Sequence, residues 1–213
     1  MPHLASLMVS RFLIGAALCL LAIVFIDGPV ARLFSETVLH HHQRKYAISS
    51  QMLLVPLAVA AASFLFWGRK GLQSPAKRAI ILGAVSGIAA FATNNLILKP
   101  FFGRRGIDYF LYYPADYGFF FFKGVWKDNF PSGHMAMIAA VVTITWREFP
   151  RARWLSAVVM VLAASLLLFG EWHFVSDLIA GALWGNLIAL AVVALSERLT
   201  ASPLSGAPGD DKH

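Results

Sequence analysis

The chain has 213 residues, 58% of them apolar and only 14% charged, with a mean hydropathy of +0.66. That leaves too little polar surface to cover a soluble core of this length, so the apolar excess must face lipid and a soluble globular domain is excluded. The net charge of +7 is scattered between apolar runs and forms no continuous basic stripe, which argues against nucleic acid and for topology signals beside an anionic lipid surface.

A hydrocarbon core of roughly 30 Å calls for about 20 helical residues per crossing. Six apolar runs approach that length: 8–27, 50–67, 79–98, 133–149, 154–170 and 175–196. Only helices satisfy every backbone polar group within one segment in lipid. The expected fold is therefore all-α, a polytopic six-transmembrane helix bundle, with residues 1–199 forming one membrane-embedded domain. The first run follows Arg11 and ends at Asp27-Gly28-Pro29 with no small-x-small cleavage pattern, so a retained span is expected. Cys19, the sole cysteine, lies inside this run and has no partner for an intramolecular disulfide.

Residues 28–49 mix Val30, Leu33, Phe34, Val38 and Leu39 with Arg32 and Glu36, a spacing that predicts an amphipathic helix lying at the interface. The tract His40-His41-His42 invites a metal reading. Consecutive helical residues point about 100° apart, however, so an interfacial polar turn fits better than one converging site. Residues 68–78 form a short basic turn. The third apolar run ends in Thr93-Asn94-Asn95, which predicts a face turned toward protein or water. The longest loop, 99–132, carries eight Phe, four Tyr and Trp126 among Lys, Arg and Asp. Beside membrane spans, such aromatics suit interface anchoring or acyl-chain contact better than base stacking. The final segment, 200–213, is rich in Ser, Pro, Gly and Asp and is expected to be disordered. Six spans put both termini on one side with ten Lys and Arg against eight on the other, which predicts cytoplasmic termini.

Candidate chemistry clusters on the opposite side. His173 and Asp177 are four apart, so a helix would put them on one face, the carboxylate holding one ring nitrogen and freeing the other as nucleophile or base. Ser132 and Gly133 open a helix, where free N–H groups and the dipole favour phosphate. His134 beside them can protonate a leaving oxygen. Lys99, Arg104 and Arg105 supply positive charge for a transferring phosphoryl group. Each part fits phosphoryl transfer through a phosphohistidine without a metal or other cofactor. Glu171, next to His173, reads as a solvated loop acid.

With Lys99 and its following arginines, Pro131-Ser132-Gly133-His134, and His173-x-x-x-Asp177 in this order, the chain resembles the type-2 phosphatidic acid phosphatase superfamily over about residues 79–196. The resemblance implies a membrane hydrolase of lipid phosphates or diphosphates, sited in a bacterial inner membrane with its active site on the periplasmic face. By the same resemblance His173 is the nucleophile, Asp177 its orienting partner and His134 the general acid, while Lys99, Ser132 and Gly133 bind phosphate. Two positions depart from the family pattern. The first-block arginine, seven residues after the lysine, is Gly106 here, and the third-block Ser-Arg is Leu166-Leu167. Arg104 and Arg105 are the expected substitutes, with Lys123 or Lys127 in reserve. A catalytically degenerate homologue that binds lipid phosphate, and a lipid phosphotransferase, are the alternative readings.

Overall fold

The computed structural model describes residues 2–37, 62, 74–113, 118–123, 129–170 and 172–201. The expected span at 50–67 lies outside them apart from Ala62, as do His40-His41-His42, Lys127, Glu171 and the tail from residue 202. The described residues are almost entirely helical, and their only β-type pairing is a bridge between Arg104 and Phe119.

Helix α1 (Pro2–Leu21) runs through a π-turn at Ala22–Ile26 directly into α2 (Asp27–Thr37). Asp27-Gly28-Pro29 therefore does not end the first helix, and residues 28–37 continue it where a separate interfacial helix was expected. The reason is local. Pro29 has no N–H and crowds the carbonyl four residues back, that of Phe25, and the π-turn widens the helix there. The same device recurs in α3 (Pro75–Thr93), which passes through a π-turn at Asn94–Leu98 into α4 (Lys99–Phe102). There the proline is Pro100, and its clashing carbonyl belongs to Leu96. Gly103, in the left-handed conformation with φ of 57°, then stops the helix and donates to the Lys99 carbonyl.

Beyond it lie α5 (Ile107–Tyr112), α6 (Gly133–Glu148), α7 (Arg153–Phe169) and α8 (Val175–Ala201). The last helix runs two residues into the segment expected as tail. Among the described residues, four helices are long and apolar enough to cross a membrane: Ser6–Leu33, Pro75–Phe102, Pro150–Phe169 and Val175–Leu199. Their outer faces carry exposed Phe12, Val24, Phe25, Leu155 and Leu162, as a lipid-facing surface requires. Helix α6, expected as a full span, has 16 residues and is about 24 Å long. It sits at the centre of the bundle, packed on α3 and α8, and Ala136, Ala140, Ile144, Leu82, Ala90, Ala189 and Val193 form the core. Two glycines allow this packing: a Cβ on Gly181 would lie 2.4 Å from the Ser132 carbonyl oxygen, and one on Gly185 would lie 2.0 Å from that of Ala136.

Helices α6 and α8 run in the same direction, so the residues that open them, Ser132 to His134 and His173 to Asp177, lie at one end of the bundle. The last turn of the α3–α4 helix and the α2 end of the first helix reach that same end. At the other end Arg78 pairs with Glu148, and Arg147 with Glu197.

Candidate active site

Ser132 caps α6, its Oγ accepting from the Met135 N–H at 3.3 Å, while its own N–H donates to the Asp177 carbonyl at 3.0 Å. The starts of α6 and α8 are thus tied by a backbone bond. Gly133 lets the π-turn of the third helix come close: a Cβ there would meet Asn95 Nδ2 at 3.0 Å and Asn94 Nδ2 at 3.3 Å. Asn94, fully buried, donates to the Pro131 carbonyl at 3.0 Å. The polar ending of the third run therefore faces protein, and it fixes the first block against the second.

Asp177 lies in the first turn of α8 and its Oδ2 accepts the Phe174 N–H at 2.9 Å, a capping contact favoured by the helix dipole. The same Oδ2 lies 3.6 Å from His173 Nδ1. His173 is not on a shared helix face as its spacing suggested. It precedes the helix, and its ring folds back onto the capping carboxylate. The ring of His134 lies 6.4 Å from that of His173, centroid to centroid, and 5.8 Å from that of Trp172. Nε2 of His134 is buried and has no hydrogen-bond partner among the described residues. Lys99, half-buried in the last turn of the helix, is near enough to act electrostatically on His134. The structure thus gathers Lys99, Ser132, Gly133, His134, His173 and Asp177 at one place.

The two arginines part company. Arg104 is completely buried. Its Nη1 donates to Asp177 Oδ1 at 2.5 Å and to Ser176 Oγ at 2.6 Å, and its Nη2 donates to Asp27 Oδ2 at 2.7 Å. The Phe174 ring lies 4.3 Å from its guanidinium carbon and the Phe119 ring 5.0 Å. Arg104 is therefore a strut between two carboxylates rather than a side chain reaching into a cleft. Arg105 is half-buried, stacked 3.8 Å from the Tyr109 ring and 4.7 Å from that of Phe120. Part of the aromatic loop folds inward: Phe102, Phe119 and Phe130 pack edge to face, with the more exposed Phe101 and Phe121 against them, while Phe122 is 79% exposed. Lys123 lies on the Phe120 ring.

Asp27 and Ser176 escaped the sequence reading. Asp27 is 1% exposed, and besides Arg104 it accepts from the Ser176 N–H at 2.9 Å and from the Ser176 hydroxyl. A carboxylate closing an apolar run was the available signal, because an acid at membrane depth needs a partner. Leu166, standing where the family has serine before its arginine, is 73% exposed on α7. Among the described residues no group of three His, Cys, Asp or Glu side chains is placed to hold a metal ion.

Residues 78–201 match the family model of the PAP2 superfamily. The chain belongs to the PAP2 superfamily. Its fold is also similar to the crystal structure of the first transmembrane PAP2 type phosphatidylglycerolphosphate phosphatase from Bacillus subtilis. That match has a TM-score of 0.51 and 18% identity, and covers 92% of this chain and 98% of the other. No curated protein matches the chain. As a PAP2 protein with apolar spanning helices, it is an integral membrane protein, and family and fold support a membrane lipid phosphatase, a hydrolase of phosphoric esters. The family match starts at residue 78, so Asp27 reaches the site from outside the matched region.

Proposed function

We propose that this PAP2 protein hydrolyses the phosphate or diphosphate of an amphiphilic lipid, through a phosphohistidine on His173, on the membrane face opposite its termini. The supporting observation is the meeting of His134 and His173 at 6.4 Å with Asp177 behind His173. Rings this close can reach one phosphoryl group together, one to attack phosphorus and the other to contact the leaving oxygen. The Asp177 carboxylate beside Nδ1 leaves Nε2 of His173 to attack. His134 protonates the departing oxygen and then, as base, activates the water that cleaves the phosphorus–nitrogen bond. Lys99, Arg105 and the first turn of α6 at Ser132 and Gly133 hold the phosphoryl oxygens. Arg104 acts from behind, fixing Asp177 and through it the His173 ring. The membrane is the bacterial inner one, with the site periplasmic and the lipid tail left in the bilayer.

A binding protein without turnover is the second reading. It is favoured by the commitment of Arg104 to carboxylates and by Leu166 and Leu167 at the third-block positions. One assay separates them: phosphate release by detergent-purified protein from phosphatidic acid, phosphatidylglycerol phosphate and a prenyl diphosphate, with and without chelator. Release that persists in chelator and disappears in His173→Ala establishes hydrolysis. Lipid binding with no release from any of the three refutes it, and transfer only to an added alcohol acceptor identifies a phosphotransferase.

A further inference from the structure

At the end of the bundle away from the histidines, α1, α6, α7 and α8 border a groove of about 690 Å³. Helix α1 packs on α8 and α7 packs on α6, with little contact between α1 and α7, so among the described residues the groove is open between them. Its inner wall is apolar, formed by Val142, Ile144, Met160, Leu190 and Val193. Three arginines also line it: Arg11, Arg147 and Arg153.

Among the described residues, neither Arg11 nor Arg153 is matched by an acid. Arg147 pairs with Glu197. Arg11 is half-buried in the first spanning helix, and its guanidinium donates at 2.9 Å to the Asn186 side-chain oxygen, a neutral partner. Asn186 in turn donates to Thr143 Oγ1 at 2.9 Å, so the amide is locked with its oxygen toward the arginine. A neutral amide orients a guanidinium but leaves its charge uncompensated, and a charge inside a membrane helix is tolerated where it faces a cavity and a counter-ion. Arg153 stands exposed at the start of α7.

We propose that this groove binds one anionic phospholipid of the leaflet on the side of the termini. Its phosphate sits among Arg11, Arg153 and Arg147, and an acyl chain lies along Val142, Met160 and Leu190. The pairing of a cationic lining with an apolar wall selects an amphiphile over a free anion. The groove and the histidine site lie at opposite ends of α6 and α8, so the bound lipid is a resident ligand and not the substrate.

The full-length protein with His173→Ala, in zwitterionic detergent, is titrated with phosphatidylglycerol or phosphatidylcholine and read by native mass spectrometry and thermal melting. Saturable binding of one phosphatidylglycerol with a rise in Tm, absent with phosphatidylcholine, is expected. Arg153→Gln should weaken it about fivefold, and Arg11→Gln with Arg153→Gln by more than tenfold. Met160→Trp keeps every arginine and places an indole on the wall where the acyl chain would lie, and it should also weaken the saturable binding while leaving the folded protein intact. In the parent protein Arg153→Gln should leave phosphate release unchanged. Equal binding of both lipids, full phosphatidylglycerol affinity in Arg153→Gln and Met160→Trp, or complete displacement by millimolar inorganic phosphate would each overturn the proposal.

Discussion

Asp27, Arg104 and Asp177 form a buried line of alternating charge whose far end touches the His173 imidazole. Removing one member of such a set leaves a charge stranded, at a cost of about 3–5 kcal/mol. Asp27→Ala should therefore lower thermal stability sharply. Asp27→Asn, which keeps the shape and some of the hydrogen bonds, should retain more folded protein yet still lose turnover as Arg104 and the ring behind it loosen. Melting curves and single-turnover phosphate release measured on the same preparations separate the two effects. If Asp27→Asn is as active as the parent, the strut has no part in positioning His173. The two arginines give a contrasting pair. Arg105→Ala should raise KM for lipid phosphate about tenfold or more, since it removes a charge-assisted contact while the core stays whole. Arg104→Ala should instead reduce folded yield and kcat. Equal effects from both, confined to KM, would return Arg104 to the phosphate.

At the level of helices, the sequence was most legible where chemistry and length coincide. The runs at 79–98, 133–149, 154–170 and 175–196 correspond to helices, because apolar stretches bounded by Ser, Pro and Gly leave few alternatives. The grouping of His134, His173, Asp177, Ser132 and Gly133 followed from their places at helix starts on one side. Less legible was Pro29, which reads as a helix end because proline in a helix interior normally breaks it; the π-turn upstream removes the clash. The partner of Arg104 was also hidden, since 77 residues separate it from Asp27 and no local spacing links them. Gly181 and Gly185, four apart on α8, were not singled out, although they set the distance between the two helices that carry the site. Gly185→Ala would drive a methyl into the Ala136 carbonyl and should cost about 1–3 kcal/mol or more, with the starts of α6 and α8 pulled out of register. Gly83→Ala, whose Cβ would meet only Val141 Cγ1 at 3.8 Å, is the matched control and should be tolerated. Loss of folded protein from both variants would point to generic helix sensitivity rather than to this close approach.

The molecule as a whole is polar at its two ends in different ways: one end holds histidines and buried carboxylates, the other holds arginines and surface ion pairs. His134 and His173 lie at the starts of α6 and α8, and the first helix begins at the opposite end and passes beside them at Asp27. If the basic end faces the cytoplasm, as the excess of Lys and Arg predicts, the loop around Phe122 must face outward. Two single-cysteine variants in a Cys19→Ser background test this, because Phe122 is 79% exposed and Ser6 is exposed on the first helix. In intact cells with a permeabilised outer membrane, a membrane-impermeant maleimide should label Phe122→Cys at once and Ser6→Cys only after the inner membrane is lysed. The reverse order would put the histidines on the cytoplasmic face, and the lipid phosphates available to them would then be those of the inner leaflet.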